Sequence, residues 1–148
     1  VPFTRGRERS RPLDSIVTEA EEIVNQGIPQ ITLLGQNVNA YRHEDNRFSD
    51  VLDAVANVSD IKRIRFMSPH PQDFNEEMLN IMQKYDNICN HIHLPLQSGS
   101  TKILSAMNRT YTKENYLSLV EKIKDIIPEI ALTTDIIVGF PGETQADF

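Results

Sequence analysis

One cysteine, Cys89, leaves this chain of 148 residues without any internal disulfide, which fits a reducing compartment and a cytoplasmic location. Tryptophan is absent, and no apolar run approaches the ~20 residues that a membrane-crossing helix needs. No signal peptide is legible either, so no membrane partner is expected. Low-complexity segments are missing. No Gly-rich phosphate loop follows the first expected strand, which counts against a dinucleotide-binding doubly wound domain. Nucleophilic catalysis has little to draw on, because Cys89 follows an Asp-Asn turn with no nearby helix start and reads as an inert thiol. Four histidines (His43, His70, His91, His93) raise the question of a metal. His91 and His93 lie two apart on one strand face, so they are either two ligands or polar groups bonded to their neighbours. No cysteine or acidic cluster completes a site, which favours the second reading.

What is present is ordinary for a soluble globular domain: 39% apolar and 24% charged residues, in a length that buries a sizeable core. The net charge of −6 is unevenly spread. Arg5, Arg7, Arg9 and Arg11 against Glu8 make the first eleven residues +3, leaving −9 for the rest. The chain as a whole is not a nucleic-acid binder by charge, but this loop could be one. The alternative is a solvated surface segment.

The most informative stretch is Ala131 to Glu143. Leu132 to Val138 suits a strand, and the unbroken Ile136-Ile137-Val138 predicts burial on both faces, as in a parallel sheet covered by helices. Gly139-Phe140-Pro141-Gly142-Glu143 then allows a sharp turn and close approach to a ligand. Thr144 and Asp147 form a helix-start signature.

The rest of the chain repeats one pattern. Pro12 opens a helix through Leu13, Ile16, Val17, Ala20, Ile23 and Val24, stopped by Gly27, with Glu19, Glu21 and Glu22 towards solvent. Ile31 to Leu34 is a short buried strand ending in the amide-rich Gly35 to Tyr41. Arg42 to Arg47 is a charged excursion, and Ser49 is expected to cap a helix through Leu52, Val55 and Ala56. Lys62 to Met67 forms a strand with Ile64 and Phe66 on one face, ended by Ser68-Pro69-His70-Pro71. Asn75 caps a helix with Met78, Leu79, Met82 and Tyr85 on its apolar face. His91 to Leu96 is the next strand, ending in Gln97-Ser98-Gly99-Ser100. Ser100 caps a helix through Ile103, Leu104 and Met107, and Thr112 starts another through Tyr116, Val120, Ile123 and Ile127, ended by Pro128.

Four β–loop–α units in strict alternation imply a parallel α/β sheet with right-handed crossovers, either part of a (β/α) barrel or an open doubly wound sheet. Every strand ends in a small or polar loop, as on the rim of a barrel active site. Val1 in place of Met, and a helix barely begun at Phe148, read as a piece of a longer chain.

Six blocks in order, VPFTRGRERSRP, LLGQNVNAY, SPHPQDF, HIHLPLQSGS, MNRTYTKENY and TTDIIVGFPGETQADF, are spread from one end of the chain to the other. Together they resemble the radical S-adenosylmethionine methylthiotransferases, and most of all the MiaB-type branch that modifies isopentenyl-adenosine in tRNA. The resemblance implies that residues 1–148 are a central piece of the radical SAM core, a partial (β/α) barrel of about four parallel strands truncated at both ends. It also implies 4Fe–4S clusters held by ligands outside this chain, the nearest in a C-x3-C-x2-C motif upstream of Val1. A separate N-terminal domain and a C-terminal RNA-binding TRAM domain would lie elsewhere. The cluster would reduce S-adenosyl-L-methionine to a 5′-deoxyadenosyl radical that takes hydrogen from the substrate base, before sulfur and methyl are added. The partners implied are tRNA, an electron-donor protein and a sulfur source. By position on the rim, Gly139, Phe140, Gly142 and Glu143 would pack on the cofactor's adenine, with Asp135 on the strand leading to them. Gln97 and Ser98 would hold its ribose or carboxylate, Gln36 and Asn37 would lie near its methionine moiety, and Ser68 and His70 would end the third strand. No residue here would be catalytic by itself, and Arg5, Arg7, Arg9 and Arg11 would face RNA. Alternatives are methylthiolation of threonylcarbamoyl-adenosine tRNA or of a ribosomal protein, a cluster-less binding homologue, and an ordinary barrel enzyme with a phosphate site at GFPGE. The SPHPQDF and HIHLPLQSGS blocks lean towards the tRNA enzymes.

Overall fold

A computed structural model of the chain describes residues 9–67 and 69–148. Arg5, Arg7 and Ser68 lie outside the described residues. Along the chain run α1 (Leu13–Asn25), β1 (Gln30–Leu33), β2 (Arg42–His43), β3 (Asn46–Arg47), α2 (Phe48–Ala56) and β4 (Arg63–Phe66). They are followed by α3 (Glu76–Lys84), β5 (His91–His93), α4 (Thr101–Ala106), α5 (Lys113–Ile126) and β6 (Ala131–Thr133).

The expected parallel pairing is present. β1 pairs with β4 in parallel, Ile31 opposite Ile64, and β5 pairs with β6, Ile92 opposite Leu132. A single parallel bridge, Ile64 to Ile88, connects the two pairs, with Ile64 N–H donating to Asn87 at 2.7 Å and Cys89 N–H to Ile64 at 3.0 Å. Among the described residues, the four parallel strands β1, β4, β5 and β6 thus lie side by side in chain order. The charged excursion is an antiparallel hairpin, β2 with β3, turned through Glu44 at φ +52°.

Alternation gives the sheet two distinct faces. Ile31, Ile64, Phe66, Ile92 and Leu94 are buried against the helices, joined by Leu52, Val55, Met78, Leu79, Met82, Leu104 and Ile123 in one core. Full burial of each such side chain stabilises the fold by about 1.5–3 kcal/mol. Thr32, Arg63, Arg65, His91, His93 and Thr133 occupy the opposite, open face. Phe48 meets Phe66 edge-on at 5.4 Å, and the Tyr116 hydroxyl donates to the Leu94 carbonyl at 2.8 Å, fastening α2 and α5 to the sheet.

Three helix caps fall where the sequence places them. Asn75, Ser100 and Thr112 accept from the backbone N–H of Met78, Ile103 and Asn115. Ser49 is not a cap. α2 starts two residues earlier, at Phe48 with Arg47 before it, because the Asp50 carboxylate takes the Arg47 N–H at 2.6 Å while Ser49 is buried. The strands are shorter than their apolar runs, and the ladder of β6 ends at Thr133. Ile136, Ile137 and Val138 are not buried on either face; they are 57%, 44% and 62% exposed. Among the described residues this stretch has one strand neighbour, through a Gln97–Ile136 bridge, and no helix layer over it. The apolar stripe of α1 is half-buried except at Ala20: Ile16 and Ile23 pack on the edge of the core and, with Ile31, Leu33 and Phe48, line an open cavity of about 970 Å³. No helix of the described residues is long and apolar enough to cross a membrane.

Candidate functional site

The carboxyl ends of the four parallel strands are tied together by side chains. After β1, Asn37 Nδ2 donates to Asp73 at 2.6 Å, while its Oδ1 is buried without a partner. The Asn39 amide clasps the His70 backbone, accepting from its N–H at 2.7 Å and donating to its carbonyl at 3.0 Å. These contacts exist because Pro69 and Pro71 end β4 sharply and lay His70 beside the loop after β1. The His70 ring stands edge-on to Tyr111 with centroids 5.7 Å apart. Tyr111 in turn donates to the carbonyls of Pro95 and Leu96 at the end of β5.

Gln97 is the next link. Its backbone has φ +74°, uncommon outside glycine, and is held there by Gln97 N–H to Asp135 at 2.9 Å and Ile137 N–H to Gln97 at 2.8 Å. Its side chain accepts from Arg109 Nη2 at 3.2 Å. Ser98 is buried and accepts the Ser100 N–H. On the open face, His93 reaches Thr133 Oγ1 at 3.0 Å and Asp135 Oδ2 at 3.2 Å, and His91 reaches Thr133 at 3.2 Å. His91 and His93 are thus bonded to neighbours, the second of the two readings above. Among the described residues no three of His, Cys, Asp and Glu gather as a metal site.

The GFPGE turn closes on itself. Gly139 and Gly142 have φ of +75° and +87°, and a Cβ built on either meets no atom within 4 Å. The backbone thus offers both an unusual conformation and open room for a ligand. The Glu143 carboxylate accepts the N–H groups of Gly139 and Phe140, at 2.5 and 3.1 Å. Those are the amides a phosphate would need, so the reading of GFPGE as a phosphate site loses its donors. Asp147 pins the following turn by accepting from Thr144, Lys102 and Ser100, which hold its carboxyl well below the usual range.

Burial pushes the His70 pKa down, more than nearby Asp73 raises it, and Arg109 pushes it further down. Nδ1 of His70 accepts from Gln72 N–H at 3.3 Å, so the ring is neutral on that side. Burial, then Arg65 and His93, lower His91 in the same way. The network thus brings together Asn37, His70, Gln97 and Asp135, with Ser98 and the glycine turn at one end. Gln36 is exposed beside Asn37 and makes no side-chain hydrogen bond among the described residues. Of the basic loop, Arg9 lines the cavity between α1 and β1, and Arg11 is engaged by Glu19 and Ser15 at the start of α1. Arg109 was missed by the sequence reading. Its signal was the Asn-Arg pair just after a helix, where Asn108 takes φ +58°.

Residues 1–148 match the family model described as the radical SAM superfamily. The chain is 57% identical, over its whole length, to a tRNA-2-methylthio-N(6)-dimethylallyladenosine synthase of Alkaliphilus oremlandii (strain OhILAs), covering 32% of that protein. It is 51% identical to the enzyme of the same name from Thermodesulfovibrio yellowstonii (strain ATCC 51303 / DSM 11347 / YP87), again over the whole chain and 34% of the relative. The chain thus spans about a third of the length of the curated relatives it matches. Among solved structures, the archaeal Methanocaldococcus infernus Elp3 with an N-terminal deletion matches with a TM-score of 0.54 at 16% identity, over 92% of this chain and 36% of that one. At that identity the likeness speaks for the fold.

Proposed function

The chain belongs to the radical SAM superfamily, and from that premise we propose that it is part of the catalytic core of a tRNA methylthiotransferase. The substrate would be an adenosine already carrying an isopentenyl (dimethylallyl) group, to which sulfur and a methyl group are added. The observation that carries this reading is identity of 51–57% across the entire chain to synthases of that one name. Neither threonylcarbamoyl-adenosine nor a ribosomal protein has comparable support.

The rim fits the adenosyl cofactor. It offers backbone with open space at Gly139 and Gly142, and two buried polar atoms without partners, Asn37 Oδ1 and Arg109 Nε. Bound there, the cofactor would supply the radical chemistry of its superfamily. The chain's own residues would position it: Gly139 to Glu143 against the adenine, Gln97 and Ser98 at the ribose, and Asn37 and His70 towards the methionine moiety. Asp135 with His93, and Arg65, would line the open sheet face on which the substrate base is presented. An iron–sulfur cluster does not fit this chain, since one cysteine cannot supply three thiolates. The reading therefore requires its ligands from elsewhere in the enzyme, as it does the electron donor and the sulfur source. Four parallel strands in chain order with a polar rim agree with a partial (β/α) barrel. Arg5, Arg7 and Arg9 are proposed to meet tRNA phosphates.

Expression of the whole protein in a bacterium deleted for its own methylthiolating enzyme, followed by mass spectrometry of tRNA nucleosides, tests the assignment. The expected result is conversion of isopentenyl-adenosine to its 2-methylthio derivative. Accumulation of unmodified isopentenyl-adenosine would overturn it.

A further inference from the structure

The Asp135 carboxylate is held in place by its neighbours and only half used by them. β6 ends at Thr133, yet the backbone stays in line beyond it. Leu94 N–H donates to the Thr133 carbonyl at 2.7 Å, and Gln97 N–H to the Asp135 carbonyl at 2.9 Å. The Thr134 hydroxyl accepts from Leu96 N–H at 2.8 Å and lies beside the Tyr116 hydroxyl, on the helix side. Strand alternation therefore continues, and Asp135 follows Thr133 on the open face.

Four side chains on that face form one directed chain of hydrogen bonds. The Asp135 carboxylate only accepts, so His93 Nε2 carries a proton and donates to Oδ2 at 3.2 Å. In the neutral ring Nδ1 is then an acceptor, and the Thr133 hydroxyl donates to it at 3.0 Å. That hydroxyl has no second proton, so it accepts from His91 Nε2–H at 3.2 Å. Each group thus fixes the tautomer or rotamer of the next, and the chain ends on Asp135. The Asp135 side chain is nonetheless 68% exposed, and its Oδ1 has no hydrogen-bond partner among the described residues. Arg63 and Arg65 share the face but make no ion pair with it. A carboxylate left to water needs no such support. One that is oriented, with an open oxygen on a polar sheet face, suits an N–H donor arriving at a fixed position.

We propose that Asp135 is a specificity-determining residue for the substrate base: its Oδ1 accepts the N6–H of an N6-alkylated adenine, and His93 is the positioning residue that holds the carboxylate there. This rests on the reading of the open sheet face as the place where the base is presented. An acceptor meets adenine only at N6, because N3 and N7 are themselves acceptors, as is N1. One alkyl group leaves a single proton on N6, so the contact reads both the base and the degree of its substitution. The cofactor's adenine and ribose also carry donors, but the glycine turn proposed to hold the adenine lies further on, at Gly139 to Glu143.

Equilibrium binding of anticodon stem-loop RNAs to the anaerobically purified holoenzyme tests this. One RNA carries N6-isopentenyl-adenosine, and the other carries N6-methyl-N6-isopentenyl-adenosine, which has no N6–H. Titration with S-adenosylhomocysteine reports on the fold and on the cofactor site. The wild-type enzyme is expected to bind the first RNA about 10- to 100-fold more tightly. Asp135→Ala is expected to abolish that preference by weakening the first RNA alone, with S-adenosylhomocysteine affinity unchanged. Asp135→Asn, which keeps the shape and loses the charge, is expected to shrink the preference and provides the test should the alanine variant not fold. His93→Ala is expected to lose part of the preference, and His93→Gln, which can still donate to Asp135, to regain it. Equal affinity of the wild-type enzyme for the two RNAs overturns the proposal, as does a preference that survives in Asp135→Ala. Equal weakening of both RNAs would make Asp135 a structural residue, and loss of S-adenosylhomocysteine affinity in Asp135→Asn would give it to the cofactor; either result overturns the proposal. If the wild-type enzyme binds neither RNA, the reading of its function falls, and this proposal with it.

Discussion

Gly139 illustrates how one residue can serve both fold and ligand. Its φ of +75° disfavours any side chain, while the space beyond it is open. Gly139→Val is therefore expected to cost about 1–2 kcal/mol through backbone strain, with no steric clash inside the protein. Its larger effect should be on cofactor affinity, because the added methyl groups fill the space proposed for adenine. Thermal unfolding and S-adenosylhomocysteine titration of the same variant separate the two, and normal binding would reduce the loop to a packing turn. The histidines make a pH prediction. His70 and His91 have folded pKa values below their ordinary one, so the unfolded chain binds more protons. Their contribution is intact above the unfolded value of about 6.5, and it is lost as pH falls from there through the lower folded values. Corrected for the slower intrinsic exchange at lower pH, protection of the Asn39, His70 and Gln72 amides is expected to fall between pH 7.5 and 5.5, and unchanged protection would show that the His70 ring is not linked to rim stability.

At the scale of elements, what was legible in the sequence was what is decided locally. Asn75, Ser100 and Thr112 could be read as caps because the oxygen and the amide it accepts are three residues apart. Ser49 has the same chemistry but lies inside α2, which starts two residues earlier because the Asp50 carboxylate takes the Arg47 N–H and Phe48 packs on Phe66. The run Ile136 to Val138 reads as a buried strand because hydrophobicity records what a residue prefers, not which neighbours reach it. Among the rim residues, Asn37, His70 and Gln97 were recognisable as polar groups ending strands. The contacts that lock them across the chain, Asn37 with Asp73 and His70 with Asn39, 36 and 31 positions apart, were not. Arg109 was hidden because its direction is set by the left-handed Asn108. Asn108→Val is expected to destabilise the protein by about 1–2 kcal/mol and to displace Arg109, whereas Asn108→Gly should be nearly neutral. Chemical denaturation of the two variants checks this, and equal stability of Val and Gly would contradict it.

At the scale of the whole molecule, the sheet has one well-covered face and, among the described residues, two unprotected flanks. β1 and β6 each pair with one neighbour, and the stretch beyond β6 exposes three aliphatic side chains. Such edges invite pairing with another chain. The 148-residue chain alone is expected to self-associate with rising concentration, and Val138→Lys should suppress this in sedimentation velocity; a monomer at all concentrations would show the edge to be shielded. The most direct test of the account concerns where the cofactor lies, because the cavity between α1 and β1 competes with the rim. Hydrogen–deuterium exchange of the whole protein, with and without S-adenosylhomocysteine, distinguishes them. Protection at 95–98, 109–111 and 135–143 is the predicted result. Protection confined to Ile16 to Leu34, with the rim unchanged, would contradict it.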